Sequence, residues 1–184
     1  MIQNGEYGIR SIEKEDLLLL QKWRNNEKLR RYFREHREFS IQQKLDWYNK
    51  MINDDRFYMF MLEHKQESIG VAGLTYVDWV NRHADVHFYI GKDSRWIDDV
   101  HAPSSINIIL DYGFNTINMN KLWAEIYEVD TKKLYFFQNL GFEIDAKLRE
   151  HYYYNGKYHT SFILSLLKRD YEKRSNFGDS STSG

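Results

Sequence analysis

Two strand-like segments, HADVHFYIG (83–91) and KLWAEIYEV (121–129), flank one helical pattern, SSINIILDYGF (104–114). This strand–helix–strand unit constrains the fold more than any other feature of the chain. A crossover of that length returns the second strand parallel to the first, with the helix over one face of the sheet. The first strand alternates cleanly, with Ala84, Val86, Phe88 and Ile90 on one face and His83, Asp85, His87 and Tyr89 on the other. Ile106, Ile109, Leu110 and Phe114 mark the apolar stripe of the helix, and Pro103 sits where a helix tolerates proline, at its start.

The remaining segments extend this unit on both sides. YGIRSI reads as a strand. Residues 13–26 read as a helix, with Leu17, Leu20 and Trp23 at helical spacing. Ser40 with Gln43 three residues on is a capping-box pattern and opens a second helix through Leu45, Trp47, Tyr48 and Met51. RFYMFMLE and SIGVAGLTYVDWV are strands rich in aromatic and β-branched residues. TKKLYFFQNLGF is a short helix stopped at Gly141, and REHYYYNGKYHTSFILSLL is a hairpin turning at Asn155-Gly156. The expectation is a mixed α/β (α+β) fold in a single domain, residues 1–174, with a disordered tail at 175–184.

Composition narrows the function classes. The formal net charge is -1, so no global field draws nucleic acid or an anionic membrane. The chain has no cysteine, which excludes disulfides, thiol chemistry and Cys-based zinc sites. MIQNGEYGIR has no apolar leader core, and no apolar run approaches the ~18–20 residues of a membrane span, so a cytoplasmic protein is expected.

The turn WIDDVHAPSS (96–105) joins the first strand of the unit to its helix. Free N–H groups at a helix start make such a turn a ready anion site. Glycine normally lets the backbone approach the anion. This turn has none and carries Asp98 and Asp99.

In order and spacing, IRSIEKEDLLLLQKWRNN, SIGVAGLTYVDWVNRHADVHFYIG and DYGFNTINMNKLWAEIYEVDTKKLYFFQNLGFEIDAKLREHYYYNGKYHTSFILSLL resemble the GNAT superfamily of N-acetyltransferases. The resemblance runs from Tyr7 to about Tyr171. The similar branch holds ribosomal-protein alanine acetyltransferases, spermidine acetyltransferases and enzymes acting on nucleotide-linked amino sugars. It implies a mostly antiparallel twisted sheet flanked by helices, with a V-shaped opening between two parallel central strands. It implies acetyl-CoA as co-substrate, its pantetheine arm along Phe88, Tyr89 and Ile90. The pyrophosphate is then expected on Arg95, Val100, His101 and Ala102, with Asp130, Lys133 and Phe137 also on the cofactor side.

Three positions depart from the family pattern. The phosphate turn of the family reads Gln/Arg-x-x-Gly-x-Gly/Ala, and counting back from DYGF puts its small residues on Asp98 and Val100. A carboxylate there repels a pyrophosphate by ~1 kcal/mol or more. The backbone N–H groups of His101–Ser105 are expected to bind instead, with Arg95 or His101 compensating. The usual tyrosine acid falls on Phe137, and Tyr135 lies roughly 200° round the helix from it. Losing that acid costs ~100-fold in rate. The usual asparagine before that helix is Asp130.

On the acceptor side, the resemblance places Asp85 as base or orienting group, with His87 as proton acceptor two residues on. The trio His83, Asp85 and His87 has only strand spacing to suggest a metal, and none is expected. Arg30, Arg31 and Arg34, with Arg37, lie in a segment that lines the acceptor site in the family and would suit an anionic acceptor through bidentate contacts. The competing reading is a solvated charged face. Tyr152, Tyr153 and Tyr154 before the Asn-Gly turn read as packing and edge protection, and the alternative is that Tyr153 closes over the acceptor. The expectation is an acetyl-CoA-dependent N-acetyltransferase of a small primary amine, such as a nucleotide-linked amino sugar, with no nucleic acid or membrane partner and a homodimer in keeping with the family. The alternative is a degenerate relative that uses another donor or serves as a non-catalytic binding or regulatory module.

Overall fold

The computed structural model describes residues 1–179, with side chains to Arg174. The elements run β1 (Ile2–Asn4), β2 (Tyr7–Ser11), α1 (Leu17–Asn25), α2 (Glu27–Arg30), α3 (Ile41–Met51), β3 (Tyr58–His64), β4 (Glu67–Asp78) and β5 (His83–Ile90). They continue with α4 (Ala102–Asp111), β6 (Lys121–Tyr127), α5 (Thr131–Asn139), β7 (Glu143–Tyr154), β8 (Lys157–Leu167) and α6 (Lys168–Asp179). Of the predicted tail, 175–179 continue α6, and 180–184 lie outside the described residues. The chain divides into two compact units: residues 1–77 with 86–111, and residues 78–85 with those from 112 on.

In the first unit, β1, β2, β3 and β4 pair antiparallel in succession. The predicted first helix starts late. Residues 14–16 form a tighter turn, closed by Glu13 N–H donating to Asp16 Oδ2 at 2.8 Å, and α1 follows. Leu17, Leu20 and Trp23 are buried as their spacing requires. The Ser40 capping box forms as predicted: Gln43 N–H donates to Ser40 Oγ at 3.2 Å, and Ser40 N–H to Gln43 Oε1 at 2.9 Å. Between these helices lies α2, one turn capped by Asn26, which receives Lys28 N–H at 2.9 Å. Leu20, Trp23, Leu29, Phe33, Met51, Met61, Val71 and Tyr89 form one core cluster. A Cβ on Gly91 would stand 2.2 Å from the Trp23 ring, so only glycine lets the end of β5 approach α1 this closely.

In the second unit, His83–Asp85 lie parallel to Lys121–Trp123, so the strand–helix–strand unit forms its parallel pair. β6 pairs antiparallel with β8, and β8 with β7. The hairpin turns at Asn155 (φ 49°) and Gly156 (φ 77°), the left-handed pair that a two-residue turn demands. Glu150 (φ 54°) accompanies a register shift between Leu148 and Tyr152. The fold is mixed α/β, mostly antiparallel with one parallel pair. Among the described residues, no helix is long and apolar enough to cross a membrane.

Candidate active site

The turn before α4 resolves the question its sequence raises. Asp98 Oδ1 accepts from His101 N–H at 2.6 Å and Ala102 N–H at 3.0 Å, while Oδ2 accepts from Arg95 Nη1 at 3.1 Å. Burial pushes the Asp98 carboxyl up. The Ala102 and His101 N–H groups and Arg95 outweigh it, and the pKa falls below the ordinary carboxylate value. The chain has therefore placed its own anion on the helix start.

These bonds involve the residues expected at the pyrophosphate, Arg95, Val100, His101 and Ala102. Of the five residues expected to offer N–H groups, two donate to Asp98. Pro103 has no N–H, and Ser105 donates to the His101 carbonyl at 3.1 Å. Arg95 neutralises Asp98 rather than facing an open anion site, and Val100 is exposed. His101 Nδ1 pairs with Tyr7 Oη at 3.1 Å. This helix start does not fit a standard pyrophosphate cradle. Ile90 N–H, on the strand segment expected to carry the pantetheine, donates to the Trp96 carbonyl at 2.8 Å. Phe88 and Ile90 are core residues, and buried Tyr89 stacks on Trp96 at 5.5 Å.

Within the first unit, a cavity of about 150 Å³ opens between the helices and the sheet. Phe33, Trp47 and Met59 give it apolar walls, and β5 contributes His87 and Tyr89. The His87 ring meets Tyr89 edge-on at 5.6 Å. Burial holds the Tyr89 hydroxyl above its ordinary pKa. Two cations complete the lining, Arg24 from α1 and Lys44 from α3, and among the described residues no Asp or Glu joins them.

Arg24 lies 4.1 Å over the Phe33 ring and 4.9 Å over the Phe39 ring. Its Nη2 donates to the Glu35 carbonyl, and its Nη1 is buried without a hydrogen-bond partner among the described residues. Burial pulls its pKa down to about 10. Lys44 Nζ lies 4.2 Å from the Trp47 ring centroid. Burial, with a smaller contribution from Arg24, pulls the Lys44 pKa down to about 8.

Neither cation was anticipated as a site residue. The signal was available: Arg24 lies four residues after Leu20, and Lys44 three before Trp47, so each interrupts the apolar stripe of its helix. The arginines that sequence density favoured are engaged elsewhere. Arg30 pairs with Glu38 at 2.6 Å, Arg31 donates to Tyr32 Oη at 2.6 Å, and Arg34 lies 5.7 Å over Tyr76. None of the three lines the cavity.

The other predicted residues belong to the second unit. Asp85 is 5% exposed and lies opposite Trp123, so it is no solvated strand residue. Asp130 caps α5, accepting from Lys133 N–H at 3.2 Å, and the Lys133 ammonium lies 5.8 Å over Phe137. Phe137 is fully buried against Phe142, so its ring is part of the core. Tyr153 is 58% exposed and packs on Tyr158 across the hairpin. Its neighbour Tyr152 is the buried ring, stacked on Tyr127 at 3.7 Å.

Residues 9–163 match the acetyltransferase (GNAT) domain family and span parts of both units. The chain is 25% identical to the spermidine N(1)-acetyltransferase of Escherichia coli K12 over 163 residues, covering 89% of this chain and 87% of that protein. It is similar to the structure of spermidine N-acetyltransferase from Vibrio cholerae in complex with CoA and spermine, with a TM-score of 0.85 and 26% identity over 92% of this chain and 99% of that one. A dodecameric structure of the Vibrio cholerae enzyme gives a TM-score of 0.80 at 26% identity, covering 94% of this chain and 99% of that one.

Proposed function

The chain belongs to the acetyltransferase (GNAT) family, and from that premise we propose that it transfers the acetyl group of acetyl-CoA directly to a small primary amine seated in the cavity of the first unit. The observation that carries this reading is His87, a half-buried imidazole lining a cavity otherwise walled by aromatic and apolar side chains. A neutral imidazole takes a proton from an amine as its nitrogen bonds the acyl carbon. His87, which lines the cavity, is the base in preference to Asp85, which does not. Acetyl-CoA supplies a thioester whose sulfur leaves as a thiolate, and a thiol pKa near ~8.5 makes that departure tolerable with Phe137 in the acid position. The nucleotide phosphates of the donor need contacts other than His101 and Ala102 N–H, because Asp98 holds both.

A nucleotide-linked amino sugar rested on Arg30, Arg31 and Arg34, and their engagement elsewhere removes that support. Residues 1–174 act as one catalytic domain in this reading. The dodecameric relative extends the expected assembly from a homodimer to a homo-oligomer, which light scattering measures. The activity test is thiol release from acetyl-CoA across a panel of primary amines. Amine-dependent release supports the reading, and no release above hydrolysis with any amine contradicts it.

A further inference from the structure

The cavity holds an electrostatic imbalance that the fold does not settle. Arg24 and Lys44 come from two different helices into one aromatic-walled space. No carboxylate lines it, and the buried Nη1 of Arg24 has no partner among the described residues. Elsewhere in the same unit, basic groups find acids: Arg10 meets both Asp16 and Glu63 at 2.7 Å. Both cations are half-buried, and the attraction of Glu35 for Arg24 is smaller than the penalty of its burial, so the surroundings still favour a further anion.

We propose that the acceptor amine carries a carboxylate, held in this cavity by the positive charges of Arg24 and Lys44. The proposal rests on the cavity being the acceptor site, as argued above. It excludes a polyamine, whose ammonium groups would face two cations with no acid to receive them.

Size favours a carboxylate over a bulkier phosphorylated acceptor. The cavity, of about 150 Å³, has room for a body of roughly the bulk of a benzene ring, and Phe33, Trp47 and Met59 give it apolar walls. The acceptor is therefore of amino-acid size, with an apolar body against the aromatic walls and its amine toward His87.

The test assays the full chain with acetyl-CoA against the standard amino acids, their carboxamides, phosphoethanolamine and spermidine. At least one amino acid is turned over, and its carboxamide loses about 100-fold or more in kcat/KM, because the amide leaves both cations unpaired. Arg24→Gln and Lys44→Met each raise KM for that acid about tenfold or more and narrow the gap between the acid and its carboxamide. Equal turnover of acid and carboxamide overturns the proposal. So does preference for spermidine or phosphoethanolamine, and either result leaves the acetyltransferase reading standing. If no amine is turned over, that reading fails, and amino-acid binding followed by thermal shift still decides the anion site. A rise in Tm that both variants abolish supports the site, and no rise overturns it.

Discussion

The helix start at α4 and the cavity below β5 treat charge in opposite ways. At α4 the chain supplies its own anion: Asp98 takes two backbone N–H groups and Arg95, and the site is closed. Among the described residues the cavity is lined by two cations and no carboxylate, and one guanidinium nitrogen has no partner. The first arrangement stabilises the fold and the second awaits a ligand. A helix terminus and a cluster of basic residues look equally inviting in a sequence. What separates them in the structure is whether neighbouring side chains have already satisfied them.

The largest effect expected is at His87. His87→Ala lowers kcat by roughly 10²–10⁴-fold with acetyl-CoA affinity retained, as steady-state kinetics and calorimetry would show. A kcat within twofold of the parent would remove the cavity from the chemistry. Next, Asp98→Ala costs ~0.5–2 kcal/mol of helix capping. In a chain this long that lowers Tm by about 2–4 °C per kcal/mol. Because it frees the His101 and Ala102 N–H groups and removes a negative charge, the same variant binds acetyl-CoA more tightly. Unchanged affinity would mean that the α4 start never faces the phosphates.

The Lys44 pKa gives a smaller, signed prediction. It lies at about 8 in the folded chain against an ordinary value of 10.5. Between those values the unfolded chain binds more protons at Lys44 than the folded one, so this residue makes stability rise with pH across that window. Arg24, pulled to about 10, adds the same sign only near the top of the window. Lys44→Met should flatten the rise in Tm between pH 8 and 10 and be the more stable protein at pH 7. The smallest effects belong to the surface arginines. Arg30→Ala and Arg34→Ala stay within about 0.5 kcal/mol in denaturant unfolding and leave acceptor KM unchanged, since exposed pairs contribute little. A tenfold rise in KM in either would return the acceptor site to that segment.

Local signals made most of the fold legible. The alternation in 83–90, the Ser40–Gln43 box and the Asn155-Gly156 turn each fix geometry through nearest neighbours, and each stands where it was expected. The late start of α1 and the single turn of α2 were not, because both depend on side chains reaching back to close a short turn. The site was less legible for a physical reason. Asp98 reads as a repulsive charge in sequence, and only the folded turn shows its carboxylate against two N–H groups. Arg24 and Lys44 were overshadowed by the denser run at 30–37. Charge density along a chain does not report burial, whereas a charge interrupting an apolar stripe does. Phe137 was legible, because a phenyl ring donates no proton wherever it packs.

A direct competition carries the central claim: thiol release from acetyl-CoA with spermidine and a carboxylate-bearing amine of amino-acid size, each measured to saturation on the same preparation. The account predicts that the carboxylate amine is preferred by about 100-fold or more in kcat/KM, the scale on which a buried polar site rejects a mismatched acceptor. Preference for spermidine would contradict it, and would show that the two cations in the cavity do not face the acceptor.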